Sequence, residues 1–192
     1  MLIRLLALTT LLFTTPAALA DWKLVGDASQ ISFVSVKKGT IAETHHFKAL
    51  EGQIADSGTA TLSIPLASVE TNIPIRNERM QKLLFETTKY ARASVNAKVD
   101  AAKLQAMQPG QTATLDAELQ LSIHGSEHSE AAKLQVTGLK DNRLLVSTES
   151  PIVLNAADFK LLEGIEKLRQ IAGLDTISPI VPVSAQLVFA KE

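Results

Sequence analysis

Histidine and carboxylate side chains are the first groups in this chain that could hold a metal ion. The 192-residue sequence has four histidines: an adjacent pair, His45 and His46, and a spaced pair, His124 and His128, with Glu127 beside the second. Residues four apart share a face on a helix, but the glycine after His124 favours a turn. Adjacent residues of a strand point to opposite faces. We therefore expect no metal site. The His45–His46 pair is expected in a surface loop, with a ligand-facing role for one of the two as the alternative.

Nucleophilic catalysis has no support in the sequence. There is no cysteine, and no G-x-S-x-G segment is present. Arg76 and Arg79 could meet a polar group of a ligand, because a guanidinium pairs with phosphate through two hydrogen bonds. Their alternative role is a solvated helix face paired with Glu78 and Glu86. We therefore expect a protein that is not an enzyme.

The first twenty residues have the pattern of a secretory signal peptide. Arg4 precedes an apolar run over residues 5–13, and Ala18-Leu19-Ala20 has the small-x-small form of a cleavage site. The run is shorter than the roughly 20 residues that span a bilayer. We expect a signal peptide over residues 1–20, Sec-type export to the periplasm, and one mature domain over residues 21–192 with no membrane span.

Charge and composition argue against nucleic acid as a partner. The chain has 19 basic and 20 acidic residues, and only 4% of its residues are aromatic. A protein that binds nucleic acid normally carries a basic surface, and single-strand binders add aromatic stacking. We therefore expect no nucleic-acid partner.

The most regular element is the segment Thr112–Ile123, in which polar and apolar residues alternate without a break. This pattern predicts one long strand with a polar face and an apolar face. At about 3.3 Å per residue its twelve residues would reach roughly 40 Å, which favours a tall barrel or a large sandwich.

Similar alternation recurs along the chain and predicts an all-β fold. Two segments have helical spacing instead, over residues 76–85 and 161–171. The short connections imply antiparallel neighbours. The remaining predicted strands cover residues 29–36, 46–54, 59–66, 89–99, 129–137, 143–147, 151–154 and 181–189.

The apolar faces mix large residues with many alanines, and this leaves two interpretations of the interior. Small inward residues would leave space for a ligand in a barrel of about eight strands. Alternatively, the helices fill the barrel and the alanines relieve crowding. The pattern alone does not decide between them.

A series of short segments, in a fixed order, links the chain to a known family. They lie at residues 29–33 (SQISF), 47–52 (FKALEG), 69–71 (VET), 76–80 (RNERM), 121–125 (LSIHG) and 157–159 (ADF). In this respect the chain resembles the YceI-like family of exported, lipocalin-like proteins over nearly the whole mature domain. Asn77 stands where the family usually has Asp.

The resemblance implies an extended antiparallel lipocalin-like barrel of about eight strands with two short α-helices. It also implies an amphiphilic ligand, either a polyisoprenoid such as a quinone-type molecule or a fatty-acid-like chain. The apolar interior would be the binding element, and no cofactor other than such a bound lipid is expected. The expected lining comprises Phe33, Phe47, Leu62, Ile64, Phe85, Tyr90, Ala93, Val95, Leu115, Ala117, Leu119, Leu121, Phe159, Leu162, Leu168, Val183 and Leu187. His46, Arg76 and Asn77 are the expected contacts for a polar head group.

Three functions follow from these patterns. The first is a periplasmic carrier that holds an isoprenoid or long-chain lipid inside the barrel. The second is a structural or stress-related barrel with a filled core that binds a partner. The third, less favoured, is an outer-membrane barrel whose apolar faces point outward. An exposed edge strand would also permit a homodimer.

Overall fold

The computed structural model of the protein describes residues 20–192. The signal peptide predicted for residues 1–20 therefore lies outside the described residues except for its last position. Twelve strands occupy the described part of the chain. They are β1 (Ala20–Leu24), β2 (Gln30–Lys37), β3 (Ile41–Phe47), β4 (Glu51–Ala55), β5 (Thr59–Pro65), β6 (Val69–Glu70), β7 (Arg92–Lys98), β8 (Thr112–Ile123), β9 (Ser126–Leu139), β10 (Arg143–Thr148), β11 (Ile152–Asn155) and β12 (Ile180–Lys191).

Three α-helices accompany the strands: α1 (Pro74–Arg79), α2 (Ala101–Ala106) and α3 (Leu162–Ile171). A π-helical turn, Met80–Leu84, continues α1 directly. In this turn the Phe85 N–H donates to the Met80 carbonyl oxygen at 2.9 Å, the i-to-i+5 spacing that defines a π-helix. The α1 segment and the π-turn together cover the first predicted helix, and α3 covers the second.

Eight of the strands form a closed antiparallel barrel, which confirms the predicted fold class. Around the ring the order is β1, β4, β5, β7, β8, β9, β10 and β12. The ring closes where β12 pairs with β1, with Trp22 opposite Lys191. Closure leaves none of these eight strands with an unpaired edge along its whole length.

Strand β12 connects the ring to a second set of strands. Its C-terminal half pairs with β10 and β1, and its N-terminal half pairs with β11 and β2. The strands β3 and β6 continue the sheet beyond β2. This extension makes the wall taller on one side of the barrel.

The predicted twelve-residue strand is confirmed as β8, with the predicted bounds. Its apolar side chains, such as Leu119 and Leu121, are buried, whereas Asp116, Glu118 and Gln120 are exposed on the outer face. The apolar face therefore points into the barrel. This orientation is the reverse of what the outer-membrane alternative requires.

The two ends of the barrel are covered by helices. At one end Leu104 of α2 is buried in a cluster with Trp22, Leu144 and Phe189. At the other end the π-turn and α3 pack on a larger cluster that contains Leu84. The charged side chains that line the barrel interior lie at this second end, near α1 and α3.

Several details differ from the sequence-based expectations, among them the short strand β6, which has no predicted counterpart. The strand predicted over residues 46–54 is divided into β3 and β4 by a break at Lys48, whose N–H donates to the Ser68 carbonyl oxygen at 2.9 Å. The helix α2 has no predicted counterpart. Asp100 caps it by accepting a hydrogen bond from the Lys103 N–H at 3.2 Å, but six residues are too few for a periodic pattern.

Candidate ligand-binding cavity

A cavity of about 500 Å³ runs through the barrel interior. Its lining extends from Leu104, at the α2 end, to Arg76 at the start of α1. Most of the lining side chains are apolar and come from every strand of the ring except β1. The interior is therefore hollow, and the filled-core interpretation does not describe it.

Most of the residues expected from the sequence contribute to this lining. Strand alternation predicted the inner face for those on strands, the others lie on or beside helical segments, and the structure brings them together around the cavity. They are Phe33, Phe47, Leu62, Ile64, Phe85, Ala93, Val95, Leu115, Leu119, Leu121, Phe159, Leu168, Val183, Leu187 and Arg76.

Three residues expected in the apolar lining lie elsewhere. Tyr90 packs against His124 on the turn after β8, with ring centroids 4.2 Å apart. Leu162, at the start of α3, is 48% exposed. Ala117 is buried in the wall but is not among the residues that line the cavity.

Two residues expected at the polar head group also lie outside the lining. His46 is on the opposite face of β3 from His45, because successive strand residues alternate. Asn77 is engaged within its own loop. Its Oδ1 accepts from the Thr71 hydroxyl at 2.6 Å and from the Thr71 N–H at 2.9 Å, and its side-chain amide donates to Glu70 at 2.9 Å.

The cavity opens between the start of α1 and the end of α3. Of the described lining residues, Ile73, Ile75 and Ala172 are the exposed ones, and we call the opening between them the mouth. Near the mouth the wall is formed by the parts of β2 and β3 that carry Ser35, Lys37, Glu43 and His45, and these inward-facing side chains are polar.

These side chains form, with Arg76, a charged cluster that the sequence reasoning found only in part. Arg76 was expected at a head group and His45 was considered as an alternative, whereas Ser35, Lys37 and Glu43 were not expected. Glu43 Oε2 accepts from the Lys37 ammonium at 2.8 Å and from Arg76 Nη1 at 2.7 Å. Arg76 Nη2 also donates to the Thr71 carbonyl oxygen at 2.8 Å. The Lys37 ammonium and the Arg76 guanidinium hold the pKa of the Glu43 carboxyl below its usual range. We call Ser35, Lys37, Glu43, His45 and Arg76 the polar cluster.

His45 is the most buried member of the polar cluster, at 3% exposure. Its Nε2 lies 2.9 Å from the Ser35 hydroxyl. Burial lowers the pKa of the imidazole, and the nearby Arg76 charge lowers it further. His45 is therefore neutral at pH 7.

Aromatic rings continue from His45 into the barrel. The imidazole packs edge-on against Phe33, with centroids 5.3 Å apart, and Phe33 contacts Phe47 at 5.5 Å. Phe47 in turn contacts Phe85 beside the π-turn, at 6.1 Å. The polar cluster thus leads directly to an apolar channel.

A signal for the missed residues was present in the sequence. Counting back by twos from Phe47, which was expected to point inward, places His45 and Glu43 on the same face. The expectation failed because the strand was predicted to begin at His46, which left residues 41–45 in a loop.

Within residues 20–192, no three histidine or carboxylate side chains are grouped so that they could hold a metal ion. In the same part of the chain, no helix is long and apolar enough to cross a membrane.

Comparisons with known proteins agree with this architecture. The model of the YceI-like domain matches residues 22–189. A solved structure from Saccharophagus degradans, described as a polyisoprenoid binding domain implicated in plant cell wall breakdown, is 39% identical, with a TM-score of 0.88. The match covers 90% of this chain and 99% of that one. BcnA from Burkholderia cenocepacia is 19% identical, with a TM-score of 0.63 over 86% of this chain and 98% of its own, and it supports the fold alone. No curated protein matches the chain.

Proposed function

The chain belongs to the YceI-like family, and from this premise we propose that it binds an amphiphilic isoprenoid or another long-chain lipid inside the barrel. The observation that carries the proposal is the apolar cavity of about 500 Å³. This volume falls within the range of small-molecule pockets, roughly 300–1,000 Å³. Burial of a hydrocarbon chain against such a wall contributes about 25 cal/mol per Å² of apolar surface.

The isoprenoid class is proposed because of the relative from Saccharophagus degradans. That protein is described as a polyisoprenoid binding domain, and it is 39% identical to this chain over nearly its whole length. A branched isoprenoid chain and a straight acyl chain are both apolar and flexible. The experiment below therefore includes both.

We place the ligand with its chain in the barrel and its polar group toward the mouth. Only at this end does the lining contain a group of charged side chains, with Lys37, Glu43, Arg76 and Arg79 all among the described lining residues. The opposite end, near Leu104 and Phe189, is apolar. An amphiphile in the reverse orientation would bury its polar group without a partner, at a cost of several kcal/mol.

A periplasmic carrier is the role that we propose for this binding. Residues 1–20 have the pattern of a cleaved signal peptide, and a long apolar chain needs a protein to cross an aqueous compartment. Binding rather than catalysis is proposed because Lys37, Glu43 and Arg76 near the mouth are engaged with one another in ion pairs.

The test is to purify the mature protein without detergent, extract it with organic solvent and identify the extract by mass spectrometry. We expect about one amphiphile per protein. The delipidated protein should then take up geranylgeraniol or palmitate. Absence of an amphiphile together with absence of uptake would overturn the proposal.

The carrier role needs a separate measurement. Cell fractionation of the full chain should place the protein in the periplasmic fraction, and a variant without residues 2–20 should stay in the cytoplasm. Recovery of the full chain from the cytoplasm would contradict the periplasmic role without affecting lipid binding.

A further inference from the structure

Large apolar side chains are exposed to solvent around the mouth of the cavity. Seven large hydrophobic residues are exposed within residues 20–192, and four of them are isoleucines on the segments that surround the mouth. These four, Ile41, Ile73, Ile75 and Ile171, are each between 43% and 51% exposed, and we call them the rim. A single exposed apolar residue is ordinary, whereas a group of them at one place marks an interaction surface.

The segments that carry the rim contact one another. They are the β2–β3 hairpin, the start of α1, and the end of α3 with the loop that follows it. In the hairpin the Lys38 N–H donates to the carbonyl oxygen of Thr176, in the loop after α3, at 3.0 Å. Arg76 of α1 donates to Glu43 of β3 at 2.7 Å. The rim therefore belongs to one surface around the mouth.

On the helical side of the mouth this surface is continuous with the cavity. Ile73 and Ile75 line the cavity and are also exposed to solvent. Ala172, the neighbour of Ile171, does the same. A hydrocarbon chain that entered between these residues would stay in contact with apolar side chains from the outer surface to the barrel interior.

Basic side chains accompany the rim. Lys38 is exposed at the tip of the β2–β3 hairpin. In the lining beside the mouth, Lys37, Arg76 and Arg79 stand against one carboxylate, Glu43. The immediate surroundings of the rim therefore carry an excess of positive charge, although the whole chain has a formal net charge of −1.

Two further carboxylates near the rim are compensated by cations. Glu78 of α1 accepts from the Lys82 ammonium at 2.6 Å. Asp175, in the loop after α3, interacts electrostatically with Arg169. Neither carboxylate cancels the excess of positive charge at the mouth.

We propose that the rim docks the protein on an anionic lipid bilayer, with the isoleucines inserted among the acyl chains and the basic side chains against the head groups. Apolar side chains flanked by lysine and arginine are typical of proteins that lie on a membrane surface. The mouth then opens into the bilayer, and a lipid passes between bilayer and barrel without exposing its chain to water. This surface rests on the proposed function, because the lipid that passes through the mouth identifies the bilayer as the partner.

A second copy of the chain fits the rim less well than a bilayer does. Four half-exposed isoleucines supply only a fraction of the roughly 1,200–2,000 Å² that a stable protein interface buries. In a symmetric dimer each surface patch meets its own copy, so the rim of one protomer would bring its basic side chains against those of its partner.

The test measures co-sedimentation of the mature protein with lipid vesicles. One set contains phosphatidylethanolamine and phosphatidylglycerol, and the other contains phosphatidylcholine alone. We expect binding to the anionic vesicles and about tenfold weaker binding to the zwitterionic ones, since each basic residue near an anionic surface adds roughly fivefold to the affinity before screening by salt. No binding to the anionic vesicles, or equal binding to both, would overturn the proposal.

The matched double variants are I41N/I171N and V153N/L162N. Ile41 and Ile171 belong to the rim but not to the cavity lining, so I41N/I171N should weaken vesicle binding at least about tenfold and leave the uptake of palmitate from solution unchanged. Val153 and Leu162 are exposed to a similar degree outside the rim, and V153N/L162N should bind vesicles normally. An equal loss in both double variants would overturn the proposal.

A measurement on the unmodified protein keeps the test independent of the folding of the variants. In nanodiscs of the anionic lipid mixture, a nitroxide label in the acyl chains should broaden the methyl signals of Ile75 and Ile171. The signal of Ile54, which is buried with Trp22 and Leu104 at the opposite end of the barrel, should stay sharp. Broadening of all three isoleucines alike, or of none, would contradict the proposal.

Light scattering without vesicles tests the second copy as the partner. We expect no association that depends on the rim, and a dimer that is lost in I41N/I171N would overturn the proposal. A protein that takes up lipid from solution but does not bind vesicles would refute the docking surface alone. A protein that binds vesicles through the rim but never takes up a lipid would refute the proposed function.

Discussion

Gly164 of α3 lies directly against Leu83 of the π-turn, with backbone facing backbone. A β-carbon on Gly164 would lie 2.6 Å from the Leu83 carbonyl oxygen and 2.7 Å from the Leu84 α-carbon. Real β-carbons do not approach other atoms so closely. The absence of a side chain therefore sets how near the two helical segments can pack over the mouth end of the barrel.

The G164A variant should be destabilised, although alanine is the better helix former by about 1 kcal/mol. The added methyl group must push α3 away from the π-turn, and overpacking of this kind costs about 1–3 kcal/mol. Chemical denaturation measures the change in the free energy of unfolding. The control is Q170A on the exposed side of α3, which should change stability by less than about 0.5 kcal/mol. A G164A protein as stable as the original would show that α3 can move away from the π-turn at no cost in stability.

A large side chain at Ala97 should block ligand uptake while the barrel stays folded. Ala97 of β7 lines the cavity, so the ring of A97F would extend into open space. The neighbouring Asn96 is exposed on the outer face of the same strand, and N96F is the matched control. We expect the uptake of geranylgeraniol and palmitate to be lost in A97F and retained in N96F. Destabilisation of A97F by the 1–3 kcal/mol typical of overpacking would indicate that the site has no room.

Acid should destabilise the protein partly through Glu70. A hydrogen bond from Asn77, the Lys48 ammonium and the Asn72 N–H together lower the pKa of this carboxyl to about 2, against 4.5 in the unfolded chain. The folded pKa is the lower one, so this stabilisation is present above pH 4.5 and is lost as the pH falls toward 2. Denaturation from pH 7 to pH 2.5 should show a shallower decline for E70Q than for the unchanged protein. Parallel curves would contradict the assignment.

Replacing Asn77 with aspartate should raise the pKa of Glu70. In N77D the Thr71 hydroxyl and N–H keep an acceptor, but the donor to Glu70 is replaced by a second carboxylate near it. Like charges at this distance disfavour ionisation. We expect N77D to unfold at a lower denaturant concentration than the unchanged protein at pH 7, with the difference shrinking near pH 4.

The control for this variant is N96D, which adds the same charge on the outer face of β7 and should have little effect. If N77D were as stable as the unchanged protein at pH 7, Lys48 would be neutralising both carboxylates.

The sequence predicts best the strands that have one face exposed to solvent and the other face toward the barrel interior. Both ends of strand β8 were predicted correctly, because its residues alternate between buried apolar ones such as Leu119 and exposed polar ones such as Glu118. The same alternation placed expected strand residues such as Leu62, Val95 and Leu187 on the side that lines the cavity. Ala117 shows its limit, since facing inward does not mean reaching the cavity surface.

The polar cluster was harder to find, because its residues break the rule that inner faces are apolar and only the period of two counted back from Phe47 indicates them. Glu43 and His45 face the cavity but look like loop residues in the sequence. What brings them to the interior is their pairing with β2 and the counter-charge of Arg76, which lies 33 positions further along the chain. The contact between Glu43 and Arg76 depends on the tertiary structure, and the sequence pattern does not predict it.

The role of β12 in closing the ring has a consequence for how the protein folds. Trp22 and Lys191 are paired although they lie at opposite ends of the described chain, and such long-range contacts form slowly because a large loop must first close. Until β12 is in place, β1 and β10 have open edges that can pair with other molecules. The cavity is therefore acquired in the closing step. A lipid that binds only the closed barrel shifts the folding equilibrium toward it by mass action.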